Sequence, residues 1–433
     1  MKKSTIFRGL GPFLLLWSTQ ALSSLGSAMT SFGLVIWSYE QHGSALATAL
    51  LSVCTYAPYV LLSVFAGVVS DRWDKRRTML VCDSLAAAVT LAVWGLLHTG
   101  RLMVWHLYVL NAVSGLMNAV QQPASEVAVS LLTPKEQYQR VGGLRALSSS
   151  LVTMLTPLLA TAVTALAGMD TVLLVDLVTF AAAFAALFGF IRLPQAAQPD
   201  GERASFRRAA GEGFSYLRRN PGILGLIGFL AAINLIASAY EAALPAMVLS
   251  RPGGGQAALG AVTACAGAAN LAGSVLAALL PAPKNRVRVI GNALLFAMST
   301  ENFFLAFGRS APVWCAGAVL GWLAIPLMNA NLDAVLRSHI PLDRQGRVYA
   351  VRNALQFFTI PVGYLLGGAL VDREFEPLMA AQPADSLLVA VFGGGKGSGA
   401  AVLYAVLAVA GILVCLVFRR LRPIRALERE DRT

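Results

Sequence analysis

The chain has 433 residues, 57% of them hydrophobic and only 13% charged, with a formal net charge of +12. A soluble chain of this length would carry about a quarter charged residues, so a water-soluble globular enzyme is excluded and a membrane protein is implied. The basic excess is spread over short links rather than gathered into a patch, which argues against a nucleic-acid partner.

Apolar stretches long enough to cross a ~30 Å hydrocarbon layer as helices recur from end to end. Backbone groups in lipid must be satisfied internally, so the expected class is an all-α membrane protein. Twelve transmembrane helices are predicted: 10–38, 44–70, 77–98, 103–131, 139–167, 170–191, 222–249, 256–281, 287–307, 311–337, 345–371 and 399–418. Lys2, Lys3 and Arg8 before the first run resemble a signal peptide. The run is too long for one, however, and it leads into further spans, so it reads as an uncleaved first helix. The longest links, 192–221 and 372–398, are too short to hold a soluble core.

The expected organisation is a first six-helix bundle (1–191), a connector (192–221), a second six-helix bundle (222–418) and a basic tail (419–433). Phe206, Ala210, Phe214 and Leu217 recur at helical spacing in the connector among four arginines, which suits an amphipathic helix on a membrane surface. The termini and alternate links, with the span ends that adjoin them, carry 27 of the 34 Lys and Arg, the opposite links five, and the span interiors two, Arg145 and Arg352. The positive-inside rule then predicts a multi-pass protein of a bacterial-type cell (plasma or inner) membrane, with both termini cytoplasmic. The five cysteines fall in apolar spans with no close pairing and read as packing residues.

A repeat joins the bundles. TPKEQYQRVGGLR (133–145) and IPLDRQGRVYAVR (340–352) align at a shift of 207, which equates Pro134 with Pro341, Glu136 with Asp343, Arg140 with Arg347 and Arg145 with Arg352. The same shift sets Glu126 on Asp333 and span 5 on span 11, as a six-plus-six duplication requires. Parallel six-helix repeats build one large class of transporters.

GVVSDRWDKRR (67–77), between spans 2 and 3, holds six charged residues in eleven. Gly67, Asp71, Arg72, Lys75 and Arg76 resemble the G-x-x-x-D-R-x-G-[RK]-[RK] motif of the major facilitator superfamily, with Asp74 where the general motif has glycine. The wording DRWDKRR, with SALATALL, PLDRQGRV and FGGGKGSG elsewhere, is similar to the drug-efflux branch that includes macrolide exporters and the enterobactin exporter. The resemblance implies two pseudo-symmetric six-helix bundles that move substrate by alternating access.

It also implies a role for the charges. Asp71 is expected near the N-terminus of span 11, where unpaired N–H groups favour an anion. Lys75 or Arg76 is expected to reach Glu126, completing a conformational latch with Gly67 and Arg72. The bland alternative is that these residues only signal topology. Arg145 and Arg352 are expected in gate-side ion pairs with Glu126 and Asp333. Asp83, Asp176 and Glu301 read as helix-end or packing acids, Glu301 being peripheral by the fold. Glu241, in NLIASAYEAALP of span 7, is the candidate for cation binding or proton coupling. Gln20, Asn118, Gln122, Asn234, Tyr240, Asn329 and Gln356 are the remaining cavity candidates, though each alone is as well explained by a helix–helix contact. As a set they suit a bulky amphiphile.

Proton coupling thins out in the motifs. The register where many exporters have a span-4 arginine reads LYVLNAVSG, with Asn111 in its place, and TPLLAT keeps Pro157 but not the expected glycines. GGGKGSG (393–399) lacks the P-loop's Lys-Ser/Thr and its strand–helix setting. No nucleophile–base pair and no metal spacing stand out, so no enzyme, cofactor or metal is expected beyond a proton gradient as energy source. The expected function is export of a macrolide-like amphiphile, probed against two alternatives. One exports a siderophore or lysophospholipid on the same fold, and the other is a non-transporting scaffold or sensor. Expected partners are the small amphiphilic substrate and the lipid bilayer, with the chain acting as a monomer.

Overall fold

The computed structural model describes residues 11–72, 74–134, 137–191, 206–281 and 283–430, without the side chains at 63–72, 138–140, 206–210, 342–346, 350 and 430. The described residues are helical and contain no strand. In chain order the helices are α1 (Gly11–His42), α2 (Ala45–Arg72), α3 (Lys75–His98), α4 (Val104–Leu132), α5 (Tyr138–Gly189), α6 (Phe206–Arg219), α7 (Pro221–Ser250), α8 (Gln256–Leu279) and α9 (Arg286–Phe307). They continue as α10 (Ala311–Leu323), α11 (Ile325–His339), α12 (Leu342–Phe357), α13 (Thr359–Leu370), a π-helical turn (Val371–Phe375), α14 (Glu376–Ala380), α15 (Leu387–Phe392), α16 (Ser398–Arg420) and α17 (Arg422–Glu430).

Ten stretches are long and apolar enough to cross a membrane. The predicted twelve are reached only when α5 is counted as two spans and α4 as one. Gly168 divides α5: its φ of 81° and ψ of 170° interrupt the helix in a region that a residue with Cβ rarely enters. Helix α4 has the length of a span, 29 residues, but falls outside the ten. Its amides and Glu126 lower its hydropathy. Span 10 is built from two pieces, α10 and α11, because Pro326 near the start of α11 has no N–H to continue the ladder.

One outcome differs from the sequence reading. Span 11 does not stop at 371. The helical path runs through the π turn to Ala380, because its charged residues cap other helices rather than end their own. The basic tail contains helix α17, which packs against the second unit. Ile424 and Leu427 of α17 are 2% and 3% exposed, and Glu428 accepts from Arg288 Nε at 3.0 Å and Asn285 Nδ2 at 2.9 Å.

The chain forms two compact units: Met1–Ser38 with Cys54–Gly201, and Tyr39–Val53 with Glu202–Thr433. In the first unit Leu16, Met79, Ala124, Ala128, Leu187 and Ile191 join α1, α3, α4 and α5 in one apolar cluster. In the second unit α13 lies against α7, α10 against α8 and α9, and α16 against α9 and α7. Phe229 of α7 and Phe418 of α16 stack with ring centroids 3.8 Å apart. Connector helix α6 packs on α12, with Tyr216 donating to the His339 carbonyl at 2.6 Å and Glu212 paired with Arg347. The segment 192–205 lies outside the described residues.

Candidate functional site

The motif link is built residue by residue in the first unit. Asp74, the departure from the motif glycine, is the N-cap of α3, and its Oδ1 accepts from the Arg77 N–H at 2.8 Å. Arg76 covers the end of α5: Nε donates to the Leu187 carbonyl at 3.1 Å, Nη2 to that of Phe188, and the guanidinium lies 5.9 Å from the Phe188 ring. A cation suits those unpaired last carbonyls. Arg76 therefore does not reach Glu126 in this structure. The α2 backbone runs helically through Gly67, Asp71 and Arg72, but the side chains of Asp71 and Arg72 lie outside the described residues.

Glu126 is held by Arg145 in a two-pronged pair, Nη1 to Oε2 at 2.6 Å and Nη2 to Oε1, which joins α4 to α5. Both side chains are about half exposed (40% and 50%), so the pair contributes less than about 1 kcal/mol. The repeat does not extend to this contact. Arg352 donates through Nε to Gln356 Oε1 at 3.1 Å, and exposed Asp333 lies within electrostatic range without forming an ion pair among the described residues. Asp is one methylene shorter than Glu, and Gln356 sits one turn along the same helix.

The amide candidates separate into two groups. Gln20 donates to Asp83 at 3.2 Å, with Gln121 donating to the other carboxylate oxygen, so three helices of the first unit meet on one buried acid. Asp176 is likewise buried, held by Ser27 Oγ at 2.8 Å and Thr90 Oγ1 at 3.1 Å. In the second unit Asn234 donates to the Gln356 carbonyl at 3.1 Å, a helix–helix contact. Gln122 accepts from Tyr59 at 2.5 Å, while Asn118 and Asn329 are exposed. A cavity of about 300 Å³ in the first unit is lined by Phe13, Leu16, Trp17, Gln20, Ser24 and Arg145, among others. The buried Trp17 indole N–H has no hydrogen-bond partner among the described residues.

Two readings of the second unit need correction. Tyr240 is 6% exposed and lies against Tyr404, ring centroids 5.3 Å apart, so it is core rather than open cavity surface. Glu301 is no isolated peripheral acid. It is 5% exposed, accepts from Trp322 Nε1 at 3.0 Å and also from the Tyr240 hydroxyl. A Cβ at Gly321 would lie 2.4 Å from Glu301 Oε2, so α10 reaches this carboxyl only through a glycine. Glu241, partly buried and next to Tyr240 in sequence, lies within electrostatic range of Glu301 and makes no hydrogen bond to a described residue. Neither carboxyl is in an ion pair among the described residues.

Other contacts were not legible in the sequence. Arg251, 8% exposed just past α7, donates Nη1 to the Gly308 carbonyl at 2.9 Å and Nη2 to that of Phe392. Burial, aided by Arg309 and opposed by Glu376, holds its guanidinium below the ordinary arginine range. Cys265 and Cys315, unpaired by sequence spacing, lie within hydrogen-bonding reach and are both free. In the glycine-rich link the Gly397 N–H donates to Glu376 Oε1 at 2.9 Å, so the anion it meets is a carboxylate of the protein itself. Among the described residues no group of His, Cys, Asp and Glu could hold a metal ion.

Known proteins resemble this chain over most of its length. Macrolide efflux protein A of Streptococcus pyogenes is 22% identical over 369 residues, 83% of this chain and 89% of that protein. The enterobactin exporter EntS of Salmonella typhimurium is 24% identical over 367 residues, 83% of this chain and 80% of that protein. Among solved structures, the nucleoside transporter NupG superposes with a TM-score of 0.70 at 9% identity, covering 95% of this chain and 99% of that one. A POT family transporter superposes with a TM-score of 0.69 at 12% identity, covering 98% and 97%. The sequence profile of the Major Facilitator Superfamily matches residues 16–364, and the chain belongs to that superfamily of multi-pass membrane transporters.

Proposed function

We propose that this transporter exports a bulky amphiphilic compound from the cell by alternating access, in exchange for protons. The observation that carries the coupling is the pair Glu241 and Glu301. Two carboxyls lie within electrostatic range in an apolar helical setting, Glu301 held by neutral Tyr240 and Trp322 donors and neither of them paired with a base. A charge in such a place is costly and two are costlier, so a proton can be taken up or released there as the surroundings change between the two access states. Glu241, the less buried of the two, is the carrier in this reading, and Glu301 is its buried partner. The cargo class follows from the efflux relatives and from the mixed wall of the first-unit cavity.

The membrane is the cell membrane, with both termini cytoplasmic, as the Lys and Arg distribution implies. No catalytic residue and no cofactor enter the mechanism. A siderophore is the second cargo reading, favoured by the enterobactin exporter among the relatives.

The test is efflux of a fluorescent amphiphile in energised everted vesicles, with and without an uncoupler. The uncoupler is expected to stop transport, and Glu241→Gln to lower uncoupler-sensitive transport by about tenfold or more while flattening its dependence on pH. Normal transport with an unchanged pH profile in Glu241→Gln would rule out the carrier role.

A further inference from the structure

Near its outer end span 11 carries GALVDR, Gly368 to Arg373, the same G-x-x-x-D-R spacing as GVVSDR, Gly67 to Arg72, at the end of span 2. The second copy shows what the spacing does. Asp372 Oδ1 accepts from the Ala45 N–H at 3.0 Å, and Oδ2 accepts from the Leu46 N–H at 2.9 Å and Ser44 Oγ at 2.6 Å. Both carboxylate oxygens thus serve the first turn of α2, whose N–H groups lack helical partners and whose dipole favours an anion.

Gly368 lies four residues earlier, one turn back on the same helix face. A Cβ there would sit 2.7 Å from Leu46 Cα and 3.0 Å from Ala49 Cβ. The glycine lets the helices touch, and the aspartate one turn on caps the helix that touches. Glu376, a further turn on, caps the start of α16 through the Gly397 N–H. The same corner is closed by Tyr39, whose hydroxyl lies 2.5 Å from Ser250 Oγ, and by the Lys396 ammonium, 5.5 Å from the Tyr39 ring centroid. The segment Tyr39–Val53 groups with the second unit, although the chain runs from both its ends into the first.

We propose that Gly368 and Asp372 form a second clasp, gripping the N-terminus of span 2 on the side that the Lys and Arg distribution assigns to the outside, and that alternating access requires its release. It complements the latch proposed for Asp71. Spans 2 and 11 both carry G-x-x-x-D-R near their ends, and the role expected of Asp71 at the start of span 11 would mirror, on the opposite side of the membrane, that of Asp372 at the start of span 2. The clasp rests on alternating access but not on the cargo or the proton, and its test uses neither.

Thr48, 3% exposed in the first turns of α2, is replaced by cysteine in the full chain. Its labelling by a membrane-impermeant maleimide is timed on intact cells, with the parent chain and its native cysteines as background. Asp372→Asn is expected to raise the labelling rate by about fivefold or more and Ser44→Ala by a smaller factor, as loss of a helix cap would. Asp385→Asn, which removes an exposed acid in the same link, is expected to change nothing. An unchanged rate in Asp372→Asn overturns the clasp, as does an equal rise in Asp385→Asn. Should Asp372→Asn fail to accumulate as monodisperse protein, Ser44→Ala decides: a faster rate supports the clasp and an unchanged one overturns it.

Discussion

At the scale of single residues, the function proposed here turns on where carboxylates find donors. Asp83 and Asp176 are each held by two or more neutral side chains in the first unit, which makes them structural. Glu301 has an acidic neighbour besides its donors, and for that reason the proposed function gives it a part. Its packing gives a stability prediction. Trp322→Phe keeps the aromatic volume but removes the N–H that meets Glu301 Oε1 at 3.0 Å. Leaving a buried acceptor short of a partner costs about 1–2 kcal/mol, so the melting temperature in detergent is expected to fall by a few degrees. Glu301→Gln in the same background is expected to recover part of the loss, because an amide tolerates a missing donor better than a carboxylate. Sequence alone could list Glu301 as an in-span acid but could not tell it from Asp176. What distinguishes them is the presence of Glu241, sixty residues earlier in the chain.

At the scale of elements, local signals located helices well and their ends less well. The break between spans 5 and 6 was legible because Gly168 lies in a short link, and the structure gives it a positive φ. The end of span 11 was misread because Asp372, Arg373, Glu374 and Glu376 look like a loop, while two of them cap neighbouring helices. Asp74 is the converse case. Judged by motif it departs from the family pattern, and judged by helix chemistry it is an ordinary N-cap for α3. Asp74→Ala is therefore expected to destabilise the start of α3 by about 1 kcal/mol, seen as a lower thermal midpoint, while transport continues. Abolished transport at undiminished stability would instead make Asp74 part of the latch.

At the scale of the whole molecule, alternating access is the proposed mechanism, and the two G-x-x-x-D-R copies are the proposed means of holding each of its states. Asp71→Asn is expected to abolish transport while the protein still inserts and folds, measured by efflux beside membrane abundance; normal transport would leave the first copy a topological signal only. The sequence by itself determined the membrane class, the run of apolar helices, the internal repeat at a shift of 207 and the family motif, because these depend on composition and local spacing. Tertiary structure alone decided which side chains meet: Arg145 with Glu126 but Arg352 with Gln356, Tyr240 with Glu301 and Asp372 with the first turn of α2. The reason is physical. Helices bound for lipid are apolar on nearly every face, so periodicity does not mark which face meets which neighbour. Contacts between residues hundreds of positions apart are set by how glycines and side chains let those helices approach.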